Sequence, residues 1–305
     1  MKCYYIYNPK SGKGKIYKYL NYIINELKTI YDIVDVHESK SSADIVDSVR
    51  TASDLYDAIV FSGGDGTFND VACGLAACSN RPILGYIPMG TGNDIARNLK
   101  IPVNPKKALK IIKQQKYIYH DVGKINDQYF IYVAALGSGS SASFTTKHQT
   151  KKVLGRFAYL IDGVKEFFSP NIINAQIEYD NKKIELTTPL ILVMNTKTIG
   201  GMIFNRYGYL NDGSFDIIVV NNGFVKGRLN VIKLFLRGML GLKKRPALSI
   251  KSSSIKITVL DTFTWTCDGN KGPQGTITVT NLHNHLKIYA DGKKALAQKE
   301  VSSYE

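Results

Sequence analysis

Short apolar runs alternate with helical patterns up to about residue 125 of the chain. The runs predict four strands, at Cys3–Tyr7, Ile33–His37, Ala58–Ser62 and Ile83–Pro88. Between them, apolar residues recur at helical spacing over 16–27 and 43–52. This alternation is typical of a parallel sheet covered by helices, so it predicts an α/β domain.

Beyond Val122 the pattern changes to strand-sized apolar runs separated by turn residues. The predicted strands are Tyr129–Leu136, Ile172–Tyr179, Leu190–Met194, Phe215–Val220, Ile255–Leu260 and Ile277–Thr280. Helical patterns interrupt them near 157–168 and 226–240. We therefore predict a second, mostly antiparallel domain.

Composition narrows the class of protein. The 305 residues are 44% apolar, which is ample for two cores and excludes a disordered chain. Lys and Arg number 40 against 25 Asp and Glu, a net charge of +15 that attracts polyanions. Nucleic acid, an anionic membrane and a phosphorylated small molecule all remain possible partners on charge alone.

The cysteines and the apolar runs bear on the cellular compartment of the protein. The four cysteines lack disulfide or zinc spacing, and no uncharged stretch approaches the ~20 residues that span a bilayer. We expect a cytoplasmic protein with reduced thiols, one that can still contact a membrane surface.

A glycine-rich loop at 61–70 is the strongest local signal. The sequence Gly63-Gly64-Asp65-Gly66-Thr67 stands where a predicted strand ends and a helix begins. Glycines let the backbone approach a bulky anion, and free amides at a helix start face its charge. The loop is therefore predicted to hold phosphate, although such glycines also make plain turns.

Two further loops follow other strands. Pro88-Met89-Gly90-Thr91-Gly92-Asn93-Asp94 ends the fourth strand, and Asn93 or Asp94 is expected to cap the next helix. Asn8-Pro9-Lys10-Ser11-Gly12 follows the first strand but lacks P-loop spacing. Loops at the carboxyl ends of neighbouring strands share one crevice, which favours one bound nucleotide.

Two later segments carry other candidate chemistry. Cys267-Asp268-Gly269-Asn270 places a carboxylate in a turn, which is also a common hairpin sequence. The segment 226–245 is amphipathic and holds seven Lys or Arg. It suits an anionic membrane surface, or equally a domain helix with a solvated basic face.

Taken in order, these motifs resemble the bacterial diacylglycerol kinases and their lipid-kinase relatives, which share a catalytic domain with sphingosine kinases. The resemblance spans nearly the whole chain and includes Asp121-Val122-Gly123 and Leu210-Asn211-Asp212-Gly213. It implies an N-terminal α/β nucleotide-binding domain and a C-terminal antiparallel β-sandwich. The implied domains are 1–125 and 126–289, with the tail 290–305 packed back on the first.

The resemblance also implies an ATP- and Mg²⁺-dependent kinase that phosphorylates a lipid alcohol, most simply diacylglycerol to phosphatidic acid. Asp268 would be the general base. Asp65, Asp94 and Asp121, with Arg97, would hold the catalytic magnesium through water, and Tyr209, Asp212 and Ser214 would hold a structural magnesium. ATP contacts would come from Asn8, Pro9, Lys10, Ser11, Gly12, Gly63, Gly64, Asp65, Gly66, Thr67, Phe68, Asn69, Thr91 and Asn270.

Two positions depart from the family pattern. Asn270 replaces the usual Glu two residues after the base and removes a negative charge beside the phosphates. Asn211 replaces the first of two consecutive aspartates in the structural-metal turn, which weakens that site.

Other classes stay open at this point. A NAD kinase accounts for the glycine loop, but it leaves the basic segment 226–245 unused. A non-catalytic nucleotide- or lipid-binding relative accounts for Asn270. We expect no nucleic-acid partner, because the tyrosines sit in apolar patterns and not in a basic groove. Peripheral contact with anionic membrane is expected, and exposed strands of the second domain are candidates for pairing in a homodimer.

Overall fold

The computed structural model describes residues 1–137, 172–205, 208–220, 224–242, 246–259, 263–292 and 295. Within them the chain divides into two compact units. Unit 1 holds Met1–Val122, Leu210–Asp212 and the described residues from His283 on, and unit 2 holds the rest. The α/β domain followed by an antiparallel β domain confirms the fold class predicted from the sequence.

Unit 1 is a parallel sheet with helices between its strands. The order along the chain is β1 (Lys2–Tyr7), a 3-10 helix (Ser11–Lys18), α1 (Leu20–Leu27), β2 (Ile33–Glu38), α2 (Ser42–Ala52), β3 (Ala58–Gly63), α3 (Asp65–Ala76), β4 (Ile83–Pro88), α4 (Asp94–Asn98) and α5 (Pro105–Lys113). The sheet order is β2-β1-β3-β4, all parallel. β3 is buried along its whole length, because helices cover both faces of a parallel sheet.

The strands of unit 1 end in register. Tyr7 pairs with Ser62, and Gly63 pairs with Pro88. The residues that follow β1, β3 and β4 therefore leave the sheet side by side at one edge. That edge carries all three glycine-bearing loops of the sequence analysis.

The remaining strands complete the described part of the chain. They are β5 (Tyr117–Ile125), β6 (Gln128–Phe130), β7 (Val133–Gly137), β8 (Ile173–Tyr179), β9 (Lys182–Thr188), β10 (Leu190–Met194), β11 (Thr198–Ile199), β12 (Met202–Ile203), β13 (Phe215–Val220), β14 (Leu248–Ser252), β15 (Ser254–Val259), β16 (Thr264–Cys267), β17 (Asn270–Gln274) and β18 (Ile277–Tyr289). Helix α6 (Phe224–Leu240) follows β13. β18 starts in unit 2 and ends in unit 1, where Ile288 pairs with Leu84 of β4.

Unit 2 is a β-sandwich with a helix on one outer face. One antiparallel sheet has the order β14-β13-β10-β7-β16-β17. Alternate residues of its central strands point to two separate cores. The other sheet of the sandwich has the order β18-β15-β8-β9. Ile191 and Val193 enter the core between these two sheets, while Leu192 and Met194 enter a second core that also contains Val231 and Leu234 of α6. Because both faces are covered, β10 is apolar throughout.

Several predicted elements differ in extent. The run Tyr129–Leu136 divides into β6 and β7, because the amides of Ile131 and Tyr132 donate to the Asp268 carboxylate instead of a strand. The strand predicted at Ile277–Thr280 continues to Tyr289, past a polar stretch in which Asn284 has a φ of 51°. The helix predicted near 157–168 lies outside the described residues. Among the helices described, none combines the length and apolar character needed to cross a bilayer.

Candidate active site

Three loops of unit 1 pack directly against one another at the carboxyl edge of its sheet. The backbone N–H of Asn8 donates to the Ser62 carbonyl at 3.0 Å. The N–H of Met89 donates to the Gly63 carbonyl at 2.7 Å. The loops after β1, β3 and β4 therefore form one cluster, which we call the three-loop cluster (residues 8–12, 63–67 and 88–94).

Glycines make this close packing possible. A Cβ on Gly90 would stand 2.5 Å from the Gly64 Cα, and a Cβ on Gly12 would stand 2.4 Å from the Met89 carbonyl oxygen. Gly12 also has a φ of 59°, which favours glycine. A Cβ on Gly66 would meet nothing within 4 Å. The cluster is thus tight where its loops touch, and its surface is open at the start of α3.

Asn8 joins the first loop to the glycine-rich loop. Its Nδ2 donates to Thr67 Oγ1 at 3.1 Å, and its Oδ1 accepts from the Lys10 N–H at 3.0 Å. Thr67 is buried in the first turn of α3. One amide side chain therefore fixes the first loop against the helix start whose amides face the open surface.

Asp65 joins the glycine-rich loop to the third loop. Its Oδ1 accepts from the Ile95 N–H at 3.1 Å, and the amides of Asn93 and Asp94 also donate to it. Burial raises the pKa of Asp65, while these amides and Arg97 oppose the rise. The sequence predicted that Asn93 or Asp94 caps α4. Asn93 occupies the N-cap position, as predicted, but its side chain makes no capping bond. Asp65 supplies the side-chain acceptor instead.

Asp94 and Arg97 form a pair within α4, with the Arg97 Nη1 3.0 Å from the Asp94 Oδ1. Asp121 is fully buried and lies against β18. Its Oδ1 accepts from the Asn284 N–H at 2.7 Å and contacts His283 Nδ1 at 3.0 Å.

No group of three or more His, Cys, Asp or Glu side chains within the described ranges is placed to hold a metal ion. Direct coordination by Asp65, Asp94 and Asp121 together therefore does not fit the structure. The water-mediated site that the resemblance implies stays a prediction.

The other predicted nucleotide contacts occupy different environments. The Phe68 side chain is fully buried against Phe61 and Tyr86, so it belongs to the core beneath the loops. Asn69, the next residue of α3, is also buried. Thr91 and Lys10 are exposed, and Pro9 and Ser11 are half-buried. Asn270 is exposed at the start of β17, in unit 2.

Asp268 occupies the turn of the β16–β17 hairpin. Asp268 and Gly269 have φ values of 50° and 88°, and Cys267 pairs with Asn270 across the turn. The hairpin that the sequence left open is therefore present. The Asp268 carboxylate also binds outside the hairpin. It accepts hydrogen bonds from the backbone N–H groups of Ile131, Tyr132 and Val133 at 2.5, 3.0 and 2.8 Å.

These three amides fix the orientation of the Asp268 carboxylate, and the Asp268 N–H donates back to the Val133 carbonyl at 2.9 Å. The neighbouring thiol of Cys267 is buried, and burial raises its pKa to about 12 with a further contribution from Asp268. At neutral pH the thiol is protonated. The general-base role that the resemblance implies for Asp268 stays a prediction.

The predicted structural-metal turn falls where the chain passes between the units. Leu210 and Asp212 lie in unit 1, and Tyr209 and Ser214 lie in unit 2. Within unit 1 the Leu210 carbonyl accepts from the Asp121 N–H at 2.8 Å. Magnesium binding by Tyr209, Asp212 and Ser214 stays a prediction.

Sequence reasoning missed the partners of these residues. It assigned no role to His283 or His285, yet His283 contacts the Asp121 carboxylate, and His285 contacts the Ala76 carbonyl at 2.8 Å. The roles of Asn8 and Asp65 as links between loops were also missed. Their spacing along the chain, 59 residues for Asn8 and Thr67 and 30 for Asp65 and Ile95, gives no local signal of contact.

Comparison with known proteins places this arrangement in a class. Residues 2–125 match the family model of the diacylglycerol kinase catalytic domain. A diacylglycerol kinase of Staphylococcus aureus (strain bovine RF122 / ET3-1) is 32% identical over 93% of this chain and 91% of its own. One from Bacillus subtilis (strain 168) is 30% identical over 95% and 96%. The class is therefore that of the lipid kinases.

Solved structures agree with the sequence relatives. A diacylglycerol kinase from Bacillus anthracis str. Sterne superposes with a TM-score of 0.81 at 25% identity, over 96% of this chain and 97% of that one. A further structure from the same organism gives a TM-score of 0.86 at 26% identity, with 96% of both chains covered. The chain belongs to the diacylglycerol kinase family, and it is a lipid kinase.

Proposed function

We propose that this lipid kinase transfers the γ-phosphate of ATP to the free hydroxyl of diacylglycerol and so produces phosphatidic acid. The three-loop cluster carries the proposal, because its glycine contacts shape an anion-facing surface at the carboxyl edge of a parallel sheet. The names of the relatives support the acceptor.

In this proposal the three-loop cluster holds the ATP phosphates. The first backbone N–H groups of α3 have no carbonyl acceptor within the helix, so they attract negative charge. Gly66 leaves room for a phosphate to approach them. Lys10 adds an exposed cation on the first loop. Phosphoryl transfer asks mainly for such alignment and charge stabilisation. Magnesium, when bound, would neutralise part of the phosphate charge.

Asp268 acts as the general base in the same proposal. As the lipid oxygen bonds to the γ-phosphorus, the bond between that phosphorus and the oxygen bridging it to ADP breaks, and the carboxylate takes the hydroxyl proton. Three backbone amides hold the carboxylate in one orientation, which keeps its position constant between turnovers. Its lipid substrate also places the enzyme at a membrane surface, so we propose peripheral association with membranes from the cytoplasmic side.

A labelled-ATP assay tests the proposal. Purified protein is offered diacylglycerol, a ceramide, a polyprenol and NAD in parallel, the lipids in mixed micelles. We expect label in phosphatidic acid, at a rate at least about tenfold above any other acceptor. Label in NAD alone would establish a soluble-substrate kinase, and nucleotide binding without label in any acceptor would establish a non-catalytic relative.

A further inference from the structure

Helix α6 (Phe224–Leu240) carries a second apolar stripe that faces away from the core. Its inner face buries Val231 and Leu234, which pack with Met202 and Phe204. At Gly238 the helix approaches β12, since a Cβ there would stand 3.3 Å from the Ile203 carbonyl oxygen. These contacts account for the inner apolar face and for its packing against unit 2.

The outer face cannot be explained by packing among the described residues. Leu229, Leu236 and Leu240 are exposed by 45%, 45% and 71%. At 3.6 residues per turn these three leucines fall within about 40° of the helix circumference. They lie about 180° from the buried face. A leucine costs free energy when it faces water, and three on one stripe form a patch and not a scatter.

Cations border this stripe. The exposed side chains of Lys226 and Lys233 lie within about 60° of Leu229 on the same side of the helix. From Phe224 to Arg245 the sequence has seven Lys or Arg and no Asp or Glu. An apolar stripe beside a row of cations matches the layers of an anionic bilayer, in which phosphates lie above acyl chains.

The same charges exclude a second copy of the chain as the natural occupant. In a two-fold interface a patch contacts itself, so two α6 helices would bring their cations together with no acidic partners from this segment. We propose that the outer face of α6, defined by Leu229, Leu236, Leu240, Lys226 and Lys233, is the surface that enters an anionic membrane. This inference rests on the proposed function, since it names where a lipid kinase meets its substrate's membrane.

The test measures binding to vesicles that contain no diacylglycerol, so the result does not depend on turnover. Vesicles of phosphatidylcholine with or without phosphatidylglycerol are sedimented with each protein. Leu236→Ser/Leu240→Ser is compared with Leu55→Ser/Val103→Ser, which changes two apolar residues of unit 1 that are exposed by 59% and 58%. Lys226→Gln/Lys233→Gln is compared with Lys182→Gln/Lys183→Gln, which removes the same charge from exposed positions of β9.

We expect the wild type and both control pairs to bind phosphatidylglycerol vesicles alike. The lysine pair on α6 should weaken binding about 30-fold, and the leucine pair about tenfold or more. Both α6 variants should keep wild-type melting temperatures, because the changed side chains are exposed. Equal binding by α6 and control variants would overturn the inference, as would a shift of the wild type, but not of the α6 variants, to a dimer on size exclusion.

A second readout separates this inference from the proposed function. Each protein is assayed on a short-chain diacylglycerol dissolved as monomers. Wild-type turnover on the monomer with retained binding of all α6 variants to vesicles would overturn the docking face alone. Absence of wild-type turnover on both monomer and vesicle substrate would overturn the proposed function, whereas the sedimentation result would still decide the docking face.

Discussion

The three-loop cluster of unit 1 and the Asp268 turn of unit 2 are built in different ways. In the cluster, backbone meets backbone: the Gly64 and Gly90 main chains pass so closely that no side chain fits between them. At the turn, one side chain fixes a backbone segment, because the Asp268 carboxylate accepts hydrogen bonds from the N–H groups of three consecutive residues. Where its loops touch, the first region therefore depends on glycines that leave no room for a side chain, and the second region depends on one carboxylate.

The difference has a consequence for substitutions. Adding one methyl group where the loops touch should disrupt the cluster, because no space is left there. A methyl group added at the open start of α3 should leave the packing intact. At the turn, by contrast, exchanging one functional group should matter more than any change in volume.

The largest effect in unit 1 is expected at Gly90. Gly90→Ala puts a Cβ 2.5 Å from the Gly64 Cα, so the loops must separate. We expect a loss of about 1–3 kcal/mol in the free energy of unfolding and a fall in ATP affinity of about tenfold or more. Denaturant titration and calorimetric ATP binding measure the two quantities.

Gly66→Ala is the matched comparison, because a Cβ there meets nothing within 4 Å. Its free energy of unfolding should stay within about 0.5 kcal/mol of the wild type. Its ATP affinity should fall, since the new methyl group occupies the surface that a phosphate approaches. Equal stability loss in both variants would contradict the distinction between the tight and the open part of the cluster.

A smaller effect is expected from Asn8, the side chain that ties two loops together. Asn8→Ala removes its bonds to Thr67 Oγ1 and the Lys10 N–H. We expect a loss of about 1–2 kcal/mol in stability, with ATP affinity reduced about tenfold or less. Thermal unfolding and ATP titration give both values.

Asn80→Ala serves as the control for Asn8. It removes an exposed bond of the same kind, from Asn80 Nδ2 to Asp54 Oδ1 at 2.7 Å, away from the cluster. Stability within about 0.5 kcal/mol of the wild type and unchanged ATP affinity are expected. If Asn8→Ala behaved like Asn80→Ala, the Asn8 side chain would contribute nothing to the packing of the first loop on the cluster, and the contrast between the two regions would become sharper.

The sequence predicted the parts of the site better than their connections. Strand-end glycines and the Asp-Gly turn are local patterns, so their positions follow from spacing alone. Asp65 was identified, but the side chain that caps α4 was predicted to come from Asn93 or Asp94, because a cap is usually supplied by the residue at the helix start. Contacts between loops depend on the order of the strands in the sheet, which cannot be read from a single sequence.

The fold shows the same division. Bounds for β4, β10 and β13 were predicted to the residue, because their apolar runs end at turn residues. For β18, the predicted strand ended at Thr280, because polar residues follow it. Two of them, His283 and His285, contact groups distant in sequence, the Asp121 carboxylate and the Ala76 carbonyl. Polar residues within a strand are invisible to a hydrophobic pattern when their partners come from elsewhere in the chain.

The claim that Asp268 is the general base is tested most directly by Asp268→Asn in the labelled-ATP assay with diacylglycerol. The amide keeps the size of the side chain but cannot take a proton, and it places an NH₂ group near backbone donors. We expect about 1–3 kcal/mol of lost stability, so melting and ATP binding are measured on the same samples.

Asp180→Asn is the matched control, because Asp180 also sits at a hairpin turn of unit 2, with a φ of 46° and a bond to Ser252 Oγ at 2.8 Å. We expect folded Asp268→Asn to bind ATP normally and to form phosphatidic acid at least about 10³-fold more slowly, while Asp180→Asn keeps wild-type turnover. Near-wild-type formation of phosphatidic acid by Asp268→Asn would contradict the claim that Asp268 is the general base.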